Sequence, residues 1–268
     1  MSGSRGFRAL LVAALGAVLV FLTVPIVGVF VNVPPGELLA SLAQEGALEA
    51  LLLSLQTTAL ALVIILVVGT PAAYLLATRS FRGRSVAVTL VELPLVLPPA
   101  VAGIALLAAL GPEGILGGLL IDAGIQLVFQ TAGVVVALVF VASPFYIRQA
   151  QAAFASIDPT LLAASRTLGA GEGRTFLAVA IPTARAGLLS GMALAWGRAL
   201  GEFGATLIFA GSFQGITQTA PLAILARFGI DFTGALALSA VLVALSATIL
   251  LSVKLLAGSP AFGGVAAR

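Results

Sequence analysis

The sequence predicts an all-α membrane protein, a single domain over 1–268 that crosses the bilayer six times with both ends on the same side. Three observations predict it. Of 268 residues, 60% are hydrophobic and 9% charged, with a mean hydropathy of +1.20, whereas a soluble domain carries about a quarter charged residues. The apolar residues fall in runs long enough for a hydrocarbon slab that takes about 20 helical residues to cross. The basic residues gather beside alternate ends of those runs. Membrane lipid is therefore an expected partner and nucleic acid is not, because in such a chain the net charge of +3 is read for where the bases lie.

Span one covers 9–30, and its length argues for a retained helix over a signal peptide, whose apolar region is about 7 to 15 residues. Span two covers 47–78, long enough to tilt or project beyond the bilayer, and ends in the basic loop Arg79-Ser-Phe-Arg-Gly-Arg84. Span three covers 86–110 and contains Pro94, Pro98 and Pro99. A kink or break is expected at these prolines, each of which removes a backbone donor and clashes with the preceding turn. Span four covers 130–152, span five 183–213 and span six 233–256. Eleven of the 13 basic residues then share one face: Arg5, Arg8, Arg79, Arg82, Arg84, Arg148, Arg166, Arg174, Arg185, Lys254 and Arg268. The positive-inside rule makes that face cytoplasmic. The other face carries Glu37, Glu45, Glu49, Glu113, Asp122 and Asp231, with Arg227 as its one base.

The longest polar stretch, 154–182, lies on the basic face and reads as helix, glycine-rich turn, helix. Asp158 followed by Pro159 is a helix start, and Gly169 is a helix stop. The glycines do not make a phosphate loop, because Leu168 stands where the first glycine belongs and Gly173 is followed by Arg174 instead of Lys-Ser/Thr. With no Cys and no His in the chain, thiolate nucleophiles and imidazole bases are absent, so neither an intramembrane enzyme nor a cofactor is expected. A secondary transporter or channel stays as the alternative; it would use intramembrane ionisable residues, and only Arg198 and Glu202 lie deep in a span.

The polar stretch resembles the coupling motif of the membrane subunits of ABC importers: a Glu-Ala-Ala triplet, a glycine four residues on, nine residues, then Ile-x-Leu-Pro. Here the triplet is Ala163, Ala164 and Ser165, the glycine is Gly169, and the close is Val179-Ala-Ile-Pro182. The family's glutamate is replaced by Ala163 and one alanine by Ser165. Gly197 to Leu225, "GRALGEFGATLIFAGSFQGITQTAPLAIL", and Leu93 to Leu107, "LPLVLPPAVAGIALL", are similar to the molybdate-type oxyanion permeases, relatives of the sulfate permeases. The resemblance implies a type I importer fold and a permease for molybdate or tungstate. It also implies a homodimer bound to two cytoplasmic ABC ATPase subunits and an extracytoplasmic oxyanion-binding protein. ATP hydrolysis then resides in the partner, Ala163, Ala164, Ser165, Arg166, Gly169 and Pro182 dock on it, and transport proceeds by alternating access.

Arg198 and Glu202 are expected on one face of a continuous helix, four residues apart and able to neutralise each other. They read either as part of the pathway or its gate, together with Phe203 and Thr206, or as a pair that pins helix packing. Thr57 and Thr58 read either as pore-lining hydroxyls or as side chains bonded back onto their own helix. Glu92 is expected at a helix end near the basic face.

Overall fold

The computed structural model describes residues 3–34, 36, 37, 40, 41 and 46–256. Twelve α-helices with described bounds, and no strand, occur among the described residues. We number them α1 (Gly3–Val31), α2 (Ala47–Thr78), α3 (Arg84–Val96), α4 (Pro99–Leu110), α5 (Gly117–Asp122), α6 (Thr131–Ala155), α7 (Pro159–Thr167), α8 (Glu172–Thr175), α9 (Ile181–Leu200), α10 (Gly204–Ala210), α11 (Ala220–Phe228) and α12 (Phe232–Leu256). A π-helical turn, Phe176–Ala180, joins α8 to α9.

Among the described residues, five stretches are long and apolar enough to cross a membrane: Arg5–Val31, Ala47–Thr78, Thr131–Ala155, Glu172–Leu200 and Phe232–Val253. The third span expected from sequence is two helices, α3 and α4. Each is too short to cross about 30 Å of hydrocarbon at 1.5 Å per residue. The break falls at Leu97–Pro98, where both residues are extended (Leu97 ψ 131°, Pro98 ψ 140°). This is the conformation forced on a residue that precedes a proline, and two prolines follow one another here. Pro94 lies inside α3 without ending it, and Pro99 is the first residue of α4.

Span five also differs from expectation, at both ends. It does not begin afresh after Pro182; helix runs from α8 through the π turn into α9. Pro182 cannot donate to the carbonyl four residues back, and the chain widens ahead of it, with the Ile181 N–H reaching Phe176 O. The other end is interrupted. α9 stops at Leu200, Gly201 to Phe203 are non-helical, and α10 resumes at Gly204.

The bundle forms around α6, which packs on α2 along one side and on α9 along another. Small residues let these helices approach closely, as apolar helices in lipid require. Gly69 of α2 and Gly191 of α9 both lie against the ring of Tyr146 on α6, and Gly187 lies against Ala153. Tyr146 is buried, and its hydroxyl meets Thr70 Oγ1 at 2.7 Å. Thr70 also donates to Leu66 O at 2.6 Å, so Tyr146 is the donor in the pair. α11 and α12 cover the first turns of α2, with the buried Ala220 N–H donating to Ser54 Oγ at 2.7 Å. α1 lies along α12 and keeps its apolar side chains exposed.

Candidate functional site

Two regions carry the polar chemistry: the elbow over 154–182 and the place where the two broken spans cross. The elbow begins with α7. Asp158 Oδ1 accepts the Thr160 N–H at 2.9 Å, and this backbone bond holds the Asp158 carboxyl below its ordinary range. Two bonds close the helix, Gly169 N–H to Arg166 O at 2.9 Å and Ala170 N–H to Ser165 O at 3.1 Å. That closure puts Gly169 at φ +83°, a left-handed conformation that glycine adopts without a Cβ penalty. Leu161, Ala163, Ala164, Arg166 and Leu168 are exposed, Leu168 at 88%.

One fastening is internal to the elbow and two hold it to the bundle. Ser165 Oγ meets Thr175 Oγ1 at 3.0 Å, joining α7 to α8. Glu172 is ion-paired with Arg79, just past the end of α2. The rings of Tyr74 on α2, Phe154 on α6 and Phe176 in the π turn cluster, with Tyr74 edge-on to Phe154 at 5.3 Å and tilted against Phe176 at 4.8 Å. Pro182 is exposed at the start of α9. α7 is thereby tied, through α8 and the π turn, to the ends of α2 and α6 and to the start of α9.

The second region is the crossing of α4 with α10. A Cβ on Gly204 would lie 2.5 Å from Pro99 Cβ, and one on Gly103 would lie 2.6 Å from Ile208 Cβ and 3.0 Å from Ala205 O. The two half-helices therefore touch backbone to backbone, and each touches at its break. Ala102 and Leu106 of α4 pack with Ala205 and Phe209 of α10 over Ala137 and Val141 of α6.

Arg198 and Glu202 lie at this crossing, but not on one helix: Arg198 is in the last turn of α9 and Glu202 is beyond its end. Arg198 Nη2 is 2.5 Å from Glu202 Oε2, and Glu202 Oε1 accepts the Ala205 N–H of α10 at 2.7 Å. The Glu202 side chain is 1% exposed and that of Arg198 28%. Beside them Phe203 is exposed, and Thr206 is buried with its hydroxyl donating to Phe203 O at 3.0 Å. Thr57 and Thr58 are elsewhere, buried on α2, and the Thr57 hydroxyl is bonded to Leu53 O of its own helix at 2.7 Å. Glu92 faces Arg148 of α6 at 3.7 Å.

Sequence reasoning missed four features. They are the capping of α10 by Glu202, the Arg79–Glu172 pair, the aromatic cluster and the meeting of Gly204 with Pro99. A signal existed for the first: a lone acid in an apolar run, flanked by Gly201 and Gly204, is a place where a helix can stop and restart.

Residues 69–259 match the family described as binding-protein-dependent transport system inner membrane component. The chain is 42% identical over 237 residues to the molybdenum transport system permease protein ModB of Mycobacterium tuberculosis, covering 88% of this chain and 89% of that protein. It is 36% identical over 239 residues to the probable transport system permease protein NifC of Clostridium pasteurianum, covering 88% and 83%. Among solved structures, a bacterial ABC transporter that imports the acidic polysaccharide alginate superposes with a TM-score of 0.72 at 18% identity, over 94% of both chains. The MetNI methionine ABC transporter superposes at 0.61 with 19% identity, over 78% of this chain and 94% of that one. The all-helical bundle thus has the fold of ABC importer permeases, and the chain, a multi-pass membrane permease, belongs to the family of inner membrane components of binding-protein-dependent transport systems.

Proposed function

We propose that this chain is the permease subunit of an ABC importer for molybdate, with tungstate as a second cargo of nearly the same size and shape. It works as a homodimer, with two cytoplasmic ATPase subunits on the elbow side and an oxyanion-binding protein on the other. Six crossings, with α3–α4 and α9–α10 each counted as one, put both ends and the elbow in the cytoplasm, in line with the eleven basic residues on that face. The 42% identity to ModB across 88% of the chain carries the choice of cargo.

The elbow supports the coupling role. Its exposed face, Leu161 to Leu168, is the docking surface for the ATPase, Gly169 turns the chain back, and Pro182 leads the stroke into α9. ATP-driven closure of the ATPases moves the two elbows of the dimer and rocks the spans, opening the pathway outward to receive the anion. The difference in affinity of the two states for nucleotide supplies the work. Arg198, Glu202, Phe203 and Thr206 at the crossing form the gate. Co-purification with an ATPase and binding protein, followed by uptake into proteoliposomes, tests the cargo: molybdate accumulates, tungstate competes, and phosphate does not. Accumulation indifferent to a tungstate excess contradicts the reading.

A further inference from the structure

We infer that Glu202 is the positioning residue of this gate, a clasp that fixes α10 to α9 across the break, and not a contact for the transported anion. The inference rests on the permease reading above and assigns that gate its mechanical joint.

Breaking a helix leaves orphan N–H and C=O groups on both sides of the gap, and inside lipid each must be satisfied by protein. The break between α3 and α4 removes two of its donors outright, since Pro98 and Pro99 have none. The break at Gly201 to Phe203 has no proline, so a side chain has to act. Glu202 does so with both oxygens, one on the Ala205 N–H of α10 and the other on Arg198 of α9.

A carboxylate this buried is tolerated only while both partners stay in place, so the angle between α9 and α10 is set by where Arg198 and Ala205 stand. α10 in turn cannot slide on α4, because Gly204 against Pro99 and Gly103 against Ile208 leave no gap. The outer halves of both broken spans therefore form one unit. It hinges on α3 at Leu97–Pro98 and on α9 at Gly201–Phe203, and Glu202 spans the second hinge. The same geometry speaks against a ligand role. Glu202 is sealed from any pathway, and the charge of Arg198 that faces outward is already neutralised at 2.5 Å.

The test compares Glu202→Gln with the double variant Arg198→Gln/Glu202→Gln, in the full complex and in the permease alone. Glu202→Gln can keep the Ala205 bond but leaves a guanidinium unpaired; the double variant restores a neutral hydrogen-bonded pair. In proteoliposomes the single variant lowers maximal uptake roughly tenfold, with the KM for molybdate held within about twofold, a pattern of lost positioning and not of lost binding. The double variant recovers to within about threefold of the parent. A raised KM in the single variant, or a double variant no better than the single, overturns the inference. A second measurement needs no transport. The chain has no cysteine, so Leu194→Cys and Leu207→Cys, both exposed, place spin labels on α9 and α10 in a permease diluted with unlabelled copies. One narrow distance in the parent, a broadened one in Glu202→Gln and a narrow one again in the double variant supports the clasp. An unchanged distribution in Glu202→Gln overturns it. A parent complex that imports no molybdate refutes the functional reading and leaves this distance test standing.

Discussion

The elbow and the crossing are both turns between helices, yet they are held in opposite ways. The elbow relies on several independent fastenings: a capping aspartate, a glycine closure, a hydroxyl pair, a ring cluster and the exposed Arg79–Glu172 pair, whose side chains are 48% and 72% exposed. The crossing relies on one buried carboxylate and two glycine contacts with no spare volume. On the proposed reading the elbow is gripped and released by another protein, and it is built from parts that each contribute little. A joint inside lipid, where water cannot replace a lost partner, concentrates its stability in a few atoms. In stability, single substitutions should therefore be forgiven at the elbow and punished at the crossing.

The sharpest contrast comes from Arg198→Ala, which strands the Glu202 carboxylate. Removing one partner of a fully buried pair costs about 3–5 kcal/mol, and the cost here is toward the lower end because Arg198 keeps 28% of its side chain open. Thermal unfolding in detergent should show a clear loss of Tm; an unchanged Tm would remove the buried pair from the account. Next comes Gly204→Val, which drives a side chain into Pro99 and costs about 1–3 kcal/mol as overpacking. The same assay checks it, with Gly197→Val as the control because a Cβ at Gly197 meets nothing within 4 Å.

At the elbow, Gly169→Pro cannot adopt φ +83°, since proline holds φ near about −65°. It should leave unfolding of the spans unchanged while abolishing uptake per ATP hydrolysed, read by pairing phosphate release with uptake. Arg79→Ala removes an exposed ion pair, for which about 0–1 kcal/mol is typical and the lower end applies at this exposure, so both Tm and uptake should stay near the parent's. The smallest effect concerns pH. The Asp158 carboxyl has a lowered pKa in the fold, so its cap is fully present above the unfolded aspartate value of about 3.9 and is lost as pH falls through the lower folded value. An Asp158→Asn variant should lack that acid-side dependence of proteolytic protection at the elbow.

Much of the architecture was legible because lipid is a demanding solvent. The apolar runs place α2 at Ala47–Thr78 with the expected bounds and α6 and α12 within three residues at both ends, whereas α1 ends within one residue of expectation but begins six residues earlier. The break at Leu97–Pro98 is written in two adjacent prolines. The break at Gly201–Phe203 is not, because glycine in a membrane helix also serves close helix packing and does not by itself mark a stop. Pro182 misleads in the other direction, since a widened turn lets the helix pass through it. At the elbow the cap and the glycine closure are local and readable. The Arg79–Glu172 contact joins residues 93 apart in sequence and the Thr70–Tyr146 contact residues 76 apart, and nothing local in the chain announces either.

The central claim is that the elbow transmits the work of a separate ATPase to the crossing. Its most direct test is molybdate uptake into proteoliposomes holding the permease with binding protein and ATP, with and without the ATPase subunit. The account predicts uptake only when the ATPase is present, and none with ATPase present when Gly169→Pro replaces the parent. Uptake that continues with no ATPase in the vesicle would contradict it.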